Sequence, residues 1–402
     1  MSTSILYHVF GVENYKFLSL ILEKNSIGLL VERDASPECP ACGSSDVVSK
    51  GTRRRWLKAL PNGSYRGLYI VVKIRRFLCK TCKSVCQEPV DIISAERLHY
   101  TKRFEQIACD LLEFATVKDV ARFSGVSWDV IKEIDVKRLT RNKPKWRYKD
   151  LLYIAVDEIY LGRVSKYKTI FYNLLSGHII KVVDGRGGDK VSGFFSKLGL
   201  YAKNLKAVAM DMSLNYWLKA HDNIPQAEVV FDRFHVMKLM NDKLDKLRRN
   251  YQAECQKAEK QVIKGKRYLL LHNPENLGDD QRRKLDELLE LNTPLSKAYI
   301  LKEELRRLWD EPDFESGKTF LNSWCKKAES SGIALMNEMS KSLKIYRSGI
   351  LNYFKYGITS GPLEGVNNKI KVMLRKHYGI RDPQYLVLKL LNLKSSKHQL
   401  TG

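Results

Sequence analysis

LLYIAVD (residues 151–157) is an apolar run of strand length that closes on a carboxylate, and LKAVAMD (205–211) repeats the pattern. Between them lie two further strand-like runs, TIFYNLL (169–175) and HIIKVV (178–183), separated by Ser176-Gly177 as in a hairpin. A helical stretch from Asp189 to Leu198 precedes the second carboxylate-ended run, and a short apolar run, AEVVF (227–231), follows it. The predicted order is three strands, a helix, a strand, a helix and a strand.

That order is the order of an RNase H-like α/β sheet, in which the first and fourth strands are central neighbours. Asp157 and Asp211, each ending its strand, would then stand side by side. Two Mg²⁺ (or Mn²⁺) ions about 3.5–4 Å apart need such oxygen ligands to activate a nucleophile and to neutralise the leaving oxygen of a phosphodiester. A third carboxylate is expected from a late helix. Glu364 fits: it sits in the first turn of a helix opened by Ser360-Gly361-Pro362, where an acid suits the helix dipole. Asn368, Lys371 and Arg375 follow at spacings of four, seven and eleven, on roughly the same face, and are expected to meet DNA. A single aspartate at a strand end is usually a turn residue; three carboxylates in this topology are much harder to dismiss. The catalytic core is expected over 149–236 and again over 351–402. The stretch 237–350, rich in Lys, Glu, Leu and Arg, reads as an α-helical insertion between its halves.

Outward toward the N-terminus, residues 1–95 read as short strands around cysteine pairs. Cys39-Pro-Ala-Cys42 and Cys79-Lys-Thr-Cys82 are two CxxC knuckles, with 36 residues between Cys42 and Cys79. Four thiolates so arranged suit one structural, tetrahedral Zn²⁺. A redox CxxC would need a single motif on a thioredoxin-like unit, which is absent. Cys86 either replaces Cys82 as a ligand or is a buried thiol. The loop between the knuckles carries Arg53, Arg54, Arg55 and Trp56, a basic strand fit for phosphate contact. Residues 96–148 read as a helix-turn-helix: Phe104–Glu113, then Val117–Phe123, a turn at Ser124-Gly125-Val126, and Trp128–Leu139 capped by Ser127. Ser127, Trp128, Asp129 and Lys132 would face the major groove.

Composition sets the partner class. The 402 residues carry 70 Lys+Arg against 45 Asp+Glu, a net charge of +25, which points to a polyanion. From Lys50 to Lys83 there are eleven basic residues and no acid, so the charge is concentrated rather than spread. The start, MSTSILYHVFGVENYKF, has no basic n-region and no long apolar core, and no run reaches about 18 apolar residues. Neither a signal peptide nor a membrane span is expected. The overall expectation is a multidomain α+β chain: N-terminal zinc-binding β module, helix-turn-helix, and RNase H-like α/β catalytic domain with an α-helical insertion.

Several blocks resemble the ISL3 family of bacterial insertion-sequence transposases, in the DDE class. They are CPACGSS with its second CxxC, AVDEIYLGR around Asp157, AMDMSLNY around Asp211, VFDRFHVMK around His235, and TSGPLEGVNNKIKVMLRKHYGIRD around Glu364. The resemblance covers nearly the whole chain, and the last block is its most specific part. It implies a catalytic triad of Asp157, Asp211 and Glu364. Asp232-Arg-Phe-His235 is similar to a Cys/Asp-x-x-His signature after the fifth strand of several such groups; Asp232 and His235 are then accessory residues, or they only cap and pack a helix start. The family likeness further implies binding of terminal inverted repeats in double-stranded DNA, pairing of two ends by a homodimer, 3′-end hydrolysis and strand transfer into target DNA, in the bacterial cytoplasm at the nucleoid. The competing functions are an RNase H-like nuclease without strand transfer and a domesticated DNA-binding regulator.

Overall fold

Alternating Leu, Val and Ile in Ser26–Arg33 (β2) and Gly67–Cys79 (β4) bury one face of each strand and draw the two together in parallel. Tyr15–Glu23 (β1) pairs antiparallel with β2, and Val47–Lys58 (β3) and Val85–Gln87 (β5) pair antiparallel with β4. The order is β1-β2-β4-β3. Thr3–Phe10 (α1) contributes Leu6 to a core with Leu29, Val31, Leu57, Ile70, Val72 and Ile74. Three short helices follow: Lys102–Leu111 (α2), Val117–Ser124 (α3) and Trp128–Arg141 (α4). Each has a side-chain cap, from Thr101, Thr116 and Ser127; Gly125, left-handed at φ 66°, ends α3 and makes the turn into α4. These elements form one compact unit, Met1–Asn142, of the computed structural model; Lys143–Gly402 form a second. The structure describes residues 3–60, 67–162, 166–185, 189–254, 267–290 and 293–393.

The second unit is built on a five-stranded sheet, β10-β9-β6-β7-β8. Its strands are Tyr153–Tyr160 (β6), Tyr167–Asn173 (β7), His178–Asp184 (β8), Ala207–Met210 (β9) and Glu228–Phe231 (β10). The first three form an antiparallel meander, and β9 and β10 add in parallel beyond β6. The intervening helices are Asp189–Tyr201 (α5) and Leu214–Asn223 (α6). Period-two alternation divides β6 between two cores. Ile154 and Val156 face Phe194, Phe195 and Leu198 of α5; Ala155 and Ile159 face the last two helices of the chain.

Arg233–Glu254 (α7) leads away from β10 into a helical layer: Arg267–Leu271 (α8), Asp279–Glu290 (α9), Pro294–Arg306 (α10), Phe314–Ser330 (α11), Ala334–Ile345 (α12), Arg347–Leu351 (α13) and Tyr353–Tyr356 (α14). Its core, with Met240, Leu305 and Trp324, is continuous with that of the sheet. The layer returns to the open edge of β10. A Cβ on Gly349 would lie 2.4 Å from the Phe231 ring, so only glycine permits this approach. Asn352 Nδ2, buried, donates to the Val229 carbonyl at 2.9 Å. The edge is thereby covered, and the chain is delivered to Gly361–Lys376 (α15) and Pro383–Leu391 (α16), which lie on the sheet face opposite α5 and α6. No helix among the described residues is long and apolar enough to cross a membrane.

Two local expectations need correction. Asp157 does not end its strand: β6 runs on to Tyr160, because beyond the short β9 it still pairs with β7, Asp157 opposite Ile170. Nor do Arg53, Arg54 and Arg55 form one patch. Arg54 pairs with Lys73 on one face of the ribbon; Arg53 and Arg55 point to the other, and Arg55 donates to the carbonyls of Glu96 and Leu98.

Candidate active site

The register of the parallel strands decides where the carboxylates stand. Tyr153, Ile154 and Ala155 pair with Ala207, Val208 and Ala209, and the latter with Glu228, Val229 and Val230. Carried past the last paired residues, the same register sets Asp157, Asp211 and Asp232 in a row across three adjacent strands. Neighbouring strands are about 4.8 Å apart, so the three aspartates share one rim at the carboxyl ends of the parallel strands.

They do not share one environment. Asp157 is half-buried; its Oδ1 accepts the Glu158 N–H at 2.7 Å and its Oδ2 accepts Asn367 Nδ2 at 2.7 Å. Burial pushes its carboxyl above the ordinary range, Asp211 adds to this, and the Glu158 N–H, the His235 ring and Asn367 oppose it. A carboxylate kept partly dry beside a second one is a group that favours a bound cation. Asp211 is exposed and lies 3.3 Å from His235 Nδ1. Asp232 is only 4% exposed and faces inward. Its Oδ1 accepts the Phe234 N–H at 2.8 Å, and its Oδ2 accepts both the N–H (2.9 Å) and the hydroxyl of Ser360. It thus ties the end of β10 to the residue that begins α15.

Glu364 lies one turn into α15, which projects it beside the sheet. A cleft of about 430 Å³ is lined by Asp157, Asp232, His235 and Ser360 on the sheet side and by Glu364, Asn367, Asn368 and Lys371 of α15. Asp211 borders an adjoining cavity that shares Asp157. Arg375, one turn beyond Lys371, is exposed and does not line the cleft; its Nε leans back on the Lys371 carbonyl. Glu158 points to the other face of β6 yet borders both cavities. Asn367 escaped the sequence reading, although its spacing of three from Glu364 puts it on the adjoining face. It is 7% exposed, and its Oδ1 has no hydrogen-bond partner.

The donor set is hard oxygen, the chemistry that Mg²⁺ or Mn²⁺ selects. Among the described residues only Cys39, Cys42, Cys79 and Cys82 bring three or more candidate ligand atoms within 4.8 Å of one another; the three carboxylates are spread more widely. A pair of ions does not require otherwise: one carboxylate can lie between the two, and the flanking carboxylates each serve one ion. The cysteine cluster has the dimensions of a single closed site. Cys39 and Cys82 sulfurs are 3.6 Å apart, as are those of Cys42 and Cys79. A tetrahedron with metal–sulfur bonds of about 2.3 Å has edges of about 3.8 Å. Left-handed Gly43 and Lys83 close the two knuckles at equivalent positions. Cys86 lies 3.8 Å from Cys39 yet outside the mutual cluster. In the first unit, Arg53, Arg54, Ser127 and Trp128 are exposed, and Lys132 rests over the Trp128 ring.

Comparison with known proteins is consistent along the chain. Residues 154–390 match the family model described as Transposase, of the ISL3 group in the DDE class. The transposase for insertion sequence element IS1001 of Bordetella parapertussis is 33% identical over 356 residues, covering 88% of this chain and 87% of that protein. The transposase for insertion sequence element IS1557 of Mycobacterium tuberculosis is 27% identical over 321 residues, 73% and 69% respectively. Among solved structures, the Drosophila P element transposase strand transfer complex matches with a TM-score of 0.37 and 11% identity over 72% of this chain and 90% of that one.

Proposed function

This chain belongs to the ISL3 family of DDE transposases, and from that premise we propose that it binds the terminal inverted repeats of an insertion sequence, cuts their 3′ ends and joins them to target DNA. The observation that carries the reading is the cleft in which Asp157 and Glu364 face one another from β6 and α15, with Asp211 in register beside Asp157. The strand order supports an RNase H-like core over 149–236 and 351–402, with 237–350 as its helical insertion. The roles divide accordingly. Asp157, Asp211 and Glu364 hold two Mg²⁺ or Mn²⁺ ions. The ions, when bound, lower the cost of deprotonating water and later the freed 3′ hydroxyl, and neutralise the leaving oxygen. His235 steadies Asp211. Asp232 positions Glu364 through Ser360, and Asn367 holds Asp157. Asn368, Lys371 and Arg375 extend from the cleft along α15 as a DNA track.

The first unit is the end-reading part: a Zn²⁺ held by Cys39, Cys42, Cys79 and Cys82 stabilises the module of 1–95. Arg53 and Arg54 offer phosphate contacts, while the helix-turn-helix of 96–148 presents Ser127, Trp128 and Lys132 to base edges. The protein acts on double-stranded DNA at the bacterial nucleoid, as a homodimer when two ends are paired. The test is incubation of purified protein with a duplex carrying the element end and Mg²⁺, with nicks mapped at nucleotide resolution. Wild type should cut at the 3′ boundary. Asp157→Asn, Asp211→Asn and Glu364→Gln should bind the end normally and cleave it at least roughly a thousandfold more slowly, since a catalytic metal supplies several kcal/mol of charge stabilisation. A Glu364→Gln protein cutting at the wild-type rate would refute the assignment.

A further inference from the structure

The cleft that holds the carboxylates also carries two aromatic rings that the chemistry above does not use. Phe234, the second residue of α7, is 54% exposed, and Tyr160, the last residue of β6, is 51% exposed. Both line the cleft with Asp157 and Glu364. The apolar residues that build the unit lie elsewhere: Ile159, beside Tyr160, is 3% exposed in the core, and Val236, two residues past Phe234, is fully buried. Neither ring is therefore a core residue displaced to the surface. Both are held in place. The Phe234 N–H is fixed on Asp232 Oδ1 and its ring meets His235 edge-on, centroids 5.6 Å apart. Tyr160 lies against Tyr167, its partner across the β6–β7 pair, at 5.0 Å.

A cleft that handles only phosphates and hydrated cations gains nothing from a phenyl ring, and exposing one to water is unfavourable. The ligand that offers a flat apolar face within reach of a phosphodiester is a nucleobase. Bases inside a duplex cannot offer it, because both faces are already stacked. We propose that Phe234 and Tyr160 form a stacking site for one unpaired base adjoining the scissile phosphate, so that the end is opened locally before it is cut. The inference rests on the cleavage reading above. It requires no sequence preference, since every base has a π-face.

The experiment compares cleavage of two duplexes with Mg²⁺: one fully paired at the element end, the other mismatched at the base pair adjoining the cut. The proteins are wild type, Phe234→Ala/Tyr160→Ala and the conservative Phe234→Trp/Tyr160→Phe. Loss of one base–aromatic stack corresponds to between about 5- and 150-fold. The double alanine variant should therefore cut the paired end at least about fivefold more slowly, with most of the deficit recovered on the mismatched end. The conservative variant should cut both at near wild-type rates. Thermal unfolding should be unchanged, since both rings are already half in water. An alanine variant that cuts the paired end at the wild-type rate, or that is slowed equally on both ends, would overturn the stacking site while leaving the carboxylate assignment intact. Wild-type protein that cuts neither end would overturn the cleavage reading and the stacking site together.

Discussion

Asp232 provides the sharpest test of how the site is held. The carboxylate is almost fully buried and accepts three hydrogen bonds, two of them from Ser360 at the start of α15. Asp232→Ala leaves the Ser360 N–H and hydroxyl facing a small dry gap. Each buried donor without a partner costs about 1–3 kcal/mol. The Phe234 N–H, at a helix start that water can reach, adds about 1 kcal/mol as a missing cap. Allowing for rotation of the Ser360 hydroxyl, the total is roughly 3–4 kcal/mol. For a unit of this size, each kcal/mol is about 2–4 °C in melting temperature, so a fall of about 6–15 °C is expected. Glu364 sits one turn beyond Ser360, and misplacing a catalytic group by about 1 Å can cost about a hundredfold in rate. Cleavage should thus fall by about that factor, while binding of the DNA end, assigned to the first unit, is retained. Asp232→Asn keeps the shape but cannot accept on both atoms; about half the destabilisation is expected. Ser360→Ala should lose less in the Asp232→Ala background than alone, the signature of two directly interacting residues in a double-mutant cycle. The assays are thermal unfolding and single-turnover end cleavage. If Asp232→Ala melts with the wild type yet cannot cleave, the residue acts on the metal ions directly and the positioning role is wrong.

Three further outcomes follow from the geometry. Purified protein should contain about one zinc per chain, removed in a Cys39→Ser, Cys79→Ser double variant by metal analysis, because a closed four-thiolate site supplies folding energy to its module; unchanged zinc would exclude the cluster as the site. Arg53→Ala with Arg54→Ala should weaken binding to every sequence and flatten the salt slope by about one for each phosphate left without its arginine, whereas Trp128→Ala or Lys132→Ala should reduce discrimination between the element end and random DNA; identical behaviour of the two sets would refute the division of labour. Asn367→Ala should weaken Mn²⁺ binding about 10–100-fold, followed by electron paramagnetic resonance without any DNA, as expected for a residue that orients a ligand. The sign with pH is set by burial: the Asp157 carboxyl lies above its ordinary range, and removing the Asn367 donor raises it further, so the deficit should be larger at low pH, where protons compete with the metal. Equal affinity at all pH values would mean that Asn367 does not act through Asp157.

Much of this molecule is local and therefore legible from its residues. Apolar runs of strand length, the Ser127 cap with Gly125 in the turn, and two CxxC knuckles each follow from interactions within a few positions, and the element order of the sheet follows from their succession. The carboxylates stood out because charge at the end of an apolar run is conspicuous. What only the tertiary structure decides is everything that depends on register and return. The alignment of Asp157, Asp211 and Asp232 is a property of strand pairing, which no single run contains. That Asp232 turns inward could not be read from its motif, because its partner Ser360 is 128 positions away. Asn367 meets Asp157 across 210 positions for the same reason. A chain specifies its helices and strands through neighbours in sequence, but it specifies a site through the packing that carries α15 back, across the helical layer, onto the face of β6.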